Sequence, residues 1–172
     1  KTAEVLRDLK LRPVLRKEIQ EANLISISAG ANDILSAASI DYGSGKVTID
    51  QGKAKEAIVS ITANYQSIFD EIERLNGKVE IYVMGYYFPF PHLSADQKPA
   101  LAAMAKLLNS AIKDIAEENG AVFVDVYDRF GDDAKQFLPK PTNIHPNADG
   151  YKAMSEEFIW TINMTKTADA EG

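Results

Sequence analysis

Leu24-Ile25-Ser26-Ile27-Ser28-Ala29, followed by Gly30-Ala31-Asn32-Asp33, is the stretch whose reading decides the fold. Six residues rich in β-branched and apolar types read as a buried strand, and Gly30 punctuates its end. In open parallel α/β sheets, ligands sit outside the carboxyl ends of the strands. Asn32 then lies where a side-chain amide can donate a hydrogen bond to the negative oxygen of a tetrahedral intermediate. The same four residues also suit a plain turn followed by a helix cap, because Asn and Asp favour both.

Working outward, two more apolar runs read as strands, at residues 79–84 ending in Gly85 and at residues 121–126. Helices separate them. Thr2 suits the N-cap of a first helix through Leu6 and Leu9, and Pro13 opens a second to about Glu21. Asn32-Asp33 starts a short helix containing Ile34 and Leu35, and residues 41–46 read as a turn-rich loop. Asp50 caps a helix whose Ala54, Ile58, Ile61, Tyr65, Ile68, Phe69 and Ile72 recur at helical spacing, stopped by Asn76-Gly77. Residues 97–118 give another, with an apolar face at Leu101, Met104, Leu107, Leu108, Ala111 and Ile115. A last helix is expected over residues 151–162, with Phe158 and Trp160 in the core, and residues 165–172 as a frayed tail.

Strands alternating with helices of ten or more residues pair in parallel, which predicts an α/β, three-layer αβα sandwich with a parallel sheet. Residues 1–164 are expected to form a single domain. Three strands leave one apolar strand at an edge, which parallel sheets normally avoid.

Composition narrows the function. The 172 residues suit one domain with a real core. The net charge of −6, without a Lys/Arg stripe, argues against nucleic acid as a partner. No apolar run approaches the roughly 18 residues of a membrane span. There is no cysteine, and only His92 and His145 are present, so neither a thiolate site nor a multi-histidine zinc site can form. Neither metal nor cofactor is expected. Asp125 and Asp128 stand near a strand end, but no phosphate-cradling Gly-rich loop accompanies them.

His145 lies in Thr142-Asn143-Ile144-His145-Pro146-Asn147, just before the last helix, on a loop held at a helix start. Imidazole is the side chain best suited to move protons near neutral pH. The loop Tyr86-Tyr87-Phe88-Pro89-Phe90-Pro91-His92 follows the second strand. It reads either as a packed aromatic corner or as an apolar acyl-binding wall, with Phe90 lining it and His92 at its rim.

Gly30-Ala31-Asn32-Asp33 after a strand resembles the Gly-x-Asn-Asp block of the SGNH hydrolases, also called the GDSL lipase/acylhydrolase family. Asn143-Ile144-His145-Pro146-Asn147 with Gly150-Tyr151 resembles their histidine block, closest to bacterial members with an Ile-His-Pro run. The similarity extends over essentially the whole chain. It implies the flavodoxin-like SGNH hydrolase fold and a serine esterase acting through an acyl-enzyme on small-molecule or lipid acyl esters. Asn32 would be the oxyanion donor, with Gly30 letting the backbone approach. His145 would be the general base, and Asp33 would cap the short helix. Members with this Ile-His-Pro run are often exported.

The chain departs from the family pattern in two places. The Gly-Asp-Ser block that carries the nucleophile, and the glycine block after the second family strand, are not in the sequence. Ser26 and Ser28 fall within the strand and Ser44 in a Gly-Ser-Gly loop, so none is a credible substitute. The nucleophile and the first two strands are therefore expected upstream, leaving this chain inactive by itself. An upstream segment or a second chain should complete the sheet beside residues 24–29. The family's triad Asp, three residues before the histidine, is replaced by Thr142, with Asn143 next. Either Asn143 or a backbone carbonyl could hold the imidazole. The alternative is a non-catalytic α/β binding or scaffold domain derived from the same fold.

Overall fold

The computed structural model describes residues 1–41 and 46–171; Ser44 and the rest of the loop expected there lie outside them. Helices α1 (Thr2–Leu11) and α2 (Pro13–Glu21) lead into strand β1 (Leu24–Ile27) and the short helix α3 (Ala31–Leu35). Strands β2 (Ala38–Asp41) and β3 (Lys46–Ile49) precede the long helix α4 (Gln51–Leu75). Then come β4 (Glu80–Met84), α5 (Lys98–Glu118), β5 (Val122–Val124), α6 (Val126–Phe130) and α7 (Ala148–Glu171).

The sheet that positions the site is parallel, in the order β1-β4-β5. Ile27 stands opposite Val83, and Met84 opposite Val124. Side chains of a strand alternate between faces, and β4 serves two cores in this way. Val83 joins Ile27, Ile61, Ile68, Ile72 and Ile112 in a core under α1, α4 and α5. Tyr82 and Met84 point into the opposite core, made with Val124, Phe130, Leu138, Ala153 and Phe158 of the α6–α7 side. The result is the expected αβα sandwich.

Strand β1 differs from the buried strand that its composition suggests. It stands at the sheet edge, and its Leu24, at 39% exposure, and Ser26 face solvent while Ile27 is buried. Ile25 and Ile27 pack into the core shared with α4, whereas Leu24 and Ser26 on the other face are left exposed.

Several other sequence expectations are corrected. The flanks of the 41–46 loop pair antiparallel, Ala38 with Ile49 and Ser39 with Thr48, as a separate two-stranded ribbon. The third strand stops at Val124, because the Asp125 carboxylate accepts from the Asp128 amide at 3.1 Å and caps α6. On α5 the buried face runs through Leu101, Ala102, Leu108, Asn109, Ile112 and Ala116, whereas Leu107 is exposed. The final helix, expected to end near Ile162, continues to Glu171. Trp160, expected in the core, is 59% exposed, while Phe158 packs inside.

Candidate active site

The end of β1 is shaped by Gly30, whose φ of +129° is a conformation L side chains rarely adopt. Its carbonyl accepts from the amides of Asp33 and Ile34 at 3.0 and 3.2 Å, which starts α3 immediately after the strand. The Tyr65 hydroxyl donates to the Ala29 carbonyl at 2.8 Å and fixes the turn from below. Asn32, in the first turn of α3, is left exposed.

Asp33 does something other than cap its own helix. Its carboxylate accepts from the backbone amide and the hydroxyl of Thr2, at 3.1 and 2.9 Å, so it holds the start of α1. Asn64 of α4 donates to the same hydroxyl at 2.9 Å. Thr2 is fully buried, and this network ties α1 and α4 to the Asn32 turn.

The second strand end is built by close approach. A Cβ on Gly85 would lie 2.5 Å from Phe123 Cζ, so only glycine fits between β4 and β5 here. The buried Asn109 of α5 then clamps Tyr86. It accepts from the Tyr86 amide and donates to its carbonyl, both at 2.7 Å. Phe88 and Phe90 pack edge to face beyond, with ring centroids 6.1 Å apart.

His145 is carried by a pinned loop. The Tyr87 hydroxyl donates to the Ile144 carbonyl at 2.8 Å, and burial pushes the Tyr87 phenol up to about 12, so it stays a donor. Asn147 donates through its side chain to the Gln136 carbonyl and through its amide to the Phe137 carbonyl, both at 2.8 Å. Its carboxamide oxygen accepts from the Gly150 amide at 2.9 Å at the start of α7. His145 itself is exposed.

The two strand ends and the His145 loop line one cavity of about 360 Å³. Gly30, Asn32, His145 and Phe90 all line it. So do Tyr86, which opens the loop read as a possible acyl-binding wall, and Ser28, which the sequence reading did not place there. Ser28 lies just beyond the β1 ladder and is exposed, so it is not held inside a strand. Burial raises the Tyr86 phenol, although hydrogen bonding to Ser28 and to the Ala31 backbone works against this. The sequence signal for Tyr86 was its position directly after the strand-ending Gly85.

Three expected site residues stand elsewhere or face another way. His92 Nε2 is 2.6 Å from the Leu138 carbonyl, and with Thr142 it lines a separate cleft of about 70 Å³. The Asn143 carboxamide accepts from the His145 backbone amide at 3.0 Å, an Asx-type turn that shapes the loop. Among the described residues, no hydrogen bond to the His145 ring is present, and no three His, Asp or Glu residues gather as a metal site.

The lipase Lip_vut3 from a goat rumen metagenome superposes with a TM-score of 0.75 at 23% identity, covering 94% of this chain and 73% of its own. Axe2, an acetylxylan esterase from Geobacillus stearothermophilus, gives 0.59 at 23% identity, covering 91% and 67%. At such identities these likenesses establish the fold. No curated protein matches the chain significantly. The family model described as GDSL-like Lipase/Acylhydrolase matches residues 2–153, and the chain belongs to that family of ester hydrolases.

Proposed function

We propose that this chain supplies the oxyanion donor and the general base of a carboxylic ester hydrolase, Asn32 and His145. The observation that carries this reading is the single cavity lined by both residues, although they come from opposite ends of the chain. Asn32 offers two amide hydrogens at an exposed helix start, and Gly30 leaves the backbone unobstructed beside it. His145 presents its imidazole from a loop fixed on both sides by Tyr87 and Asn147.

The serine hydroxyl comes from a segment outside this chain, seated by the exposed edge of β1. Its oxygen attacks the ester carbonyl as His145 takes the proton, and Asn32 donates to the oxyanion. The imidazolium returns the proton to the leaving alcohol, giving an acyl-serine. Water then attacks the acyl-serine with His145 again as base. The carboxylic acid carries the water oxygen away, and the serine is restored. By itself the chain has no turnover. Among the described residues no carboxylate pairs with the His145 imidazole, and without one from elsewhere the rate falls below that of a full triad, by analogy as much as about 10⁴-fold. That same observation favours the second reading, a binding or scaffold domain that kept the fold.

Turnover of p-nitrophenyl acetate by the full-length protein decides between them. His145→Ala should reduce it to background, and Asn32→Ala should lower kcat by about 10²–10³ with little change in KM. Ser28→Ala is the control for an in-chain nucleophile. Equal turnover by the wild type and His145→Ala would remove His145 from the mechanism and leave the scaffold reading.

A further inference from the structure

Asn32 and His145 reach the cavity on separate turns from opposite ends of the chain. Among the described residues no hydrogen bond holds the His145 ring, so the place of the imidazole depends on the backbone that carries it. The same dependence holds for an oxyanion donor, which has to lie within about 3 Å of the oxygen it stabilises. Misplacement by about 1 Å can cost about 10²-fold in rate.

Both backbones are held from one place. Strand β4 is the middle strand of its sheet, and it runs directly into Gly85-Tyr86-Tyr87. The Tyr86 hydroxyl is hydrogen-bonded to the Ser28 side chain and to the backbone of Ala31, the residue before Asn32. The Tyr87 hydroxyl donates to the carbonyl of Ile144, the residue before His145, at 2.8 Å. Two consecutive tyrosines thus reach two different turns, each one residue short of a reacting side chain.

The root of this pair is rigid. Gly85 lies so close to β5 that a Cβ would sit 2.5 Å from the Phe123 ring. Asn109 holds both the amide and the carbonyl of Tyr86. The Tyr87 ring stacks on Phe130 with centroids 4.8 Å apart, and Phe130 meets Phe137 at 4.7 Å. The Phe137 carbonyl accepts from the Asn147 amide, on the far side of His145. Side chains locked by packing in this way are what hold a reacting group to a working geometry. We propose that Tyr86 and Tyr87 are a pair of positioning residues, Tyr86 for the Asn32 turn and Tyr87 for the His145 loop, which set the spacing of the two reacting side chains from the end of the central strand. This rests on the assignment of Asn32 and His145 as the reacting site.

The test uses the full-length protein. Tyr86→Phe and Tyr87→Phe keep each ring and remove only the hydroxyl, and urea unfolding checks that both fold. Each should lower kcat for p-nitrophenyl acetate by about tenfold with KM little changed. In the Asn32→Ala background Tyr86→Phe should have little further effect, whereas Tyr87→Phe should keep its own. In NMR spectra, the imidazole resonance that His145→Ala removes should move in Tyr87→Phe and stay in place in Tyr86→Phe. The carboxamide resonances that Asn32→Ala removes should do the reverse. Lower stability with unchanged kcat and unmoved resonances, or full additivity of Tyr86→Phe with Asn32→Ala, overturns the proposal and leaves the catalytic assignment standing. Should neither Asn32→Ala nor His145→Ala change turnover, that assignment fails and the resonances alone decide. The crossed pattern of shifts then supports the pair, and its absence overturns it.

Discussion

Asp33 shows how one side chain acquires a role that its neighbours in sequence do not announce. Asp in the first turn of a helix normally serves that helix, whose N-terminal amides favour negative charge. Here the backbone carbonyl of Gly30 already receives the first amides of α3, so the carboxylate is free to reach Thr2 across the fold. Asp33→Ala leaves a buried amide and a buried hydroxyl without their acceptor. It should cost about 2 kcal/mol, measured by urea unfolding. Asp33→Asn retains one acceptor and should lose less. A variant as stable as the wild type would show that the Thr2 contact is incidental.

Among the elements, α2 and α4 are joined by a charge cluster in which Glu71 receives both Arg74 and Arg16. The hydrogen bonds from Arg74 and then Arg16 hold the Glu71 carboxyl down at about 2, from an ordinary 4.5. A carboxylate whose pKa is depressed by folding contributes stability above its unfolded value and loses it as pH falls towards the folded one. The window is therefore about pH 4.5 down to 2. Arg74 is 59% exposed, so solvent screening leaves a contribution of about 1 kcal/mol at neutral pH. Glu71→Gln should remove that contribution and flatten the acid limb of a stability–pH curve measured by chemical unfolding. Parallel curves for the two proteins would contradict it.

The amphipathic pattern predicted which segments of α4 and α5 are helical, because periodicity is local. It missed the rotation of α5 that buries Asn109 and exposes Leu107, since that depends on where Tyr86 needs a partner. Trp160 was misplaced for a related reason. A helix against one face of a sheet has an outer side, and composition does not say which apolar residues fall on it.

For the whole molecule, the open edge of β1 is the feature with most consequence. Its residues hydrogen-bond to β4 on one side only, and it presents unpaired backbone groups beside an exposed Leu24. Such edges pair readily with another strand. Residues 1–172 expressed alone should therefore self-associate, and a longer chain bringing further strands should not. Light scattering after size exclusion distinguishes these outcomes. A monodisperse native monomer of the short chain would sink the expectation.

The sequence by itself determined the helices and parallel strands, the two family blocks, and the chemical types at Asn32 and His145. All of these are written in local periodicity, turn chemistry and short motifs. Only the tertiary structure decided that Asn32, His145 and Phe90 share one cavity. It also turned His92 to the Leu138 carbonyl, Asn143 to a backbone amide, and Asp33 to α1. Each of these outcomes is a choice of partner between residues far apart in the chain. Which partner lies within hydrogen-bonding reach is fixed by how the sheet and helices pack, and no local pattern records it.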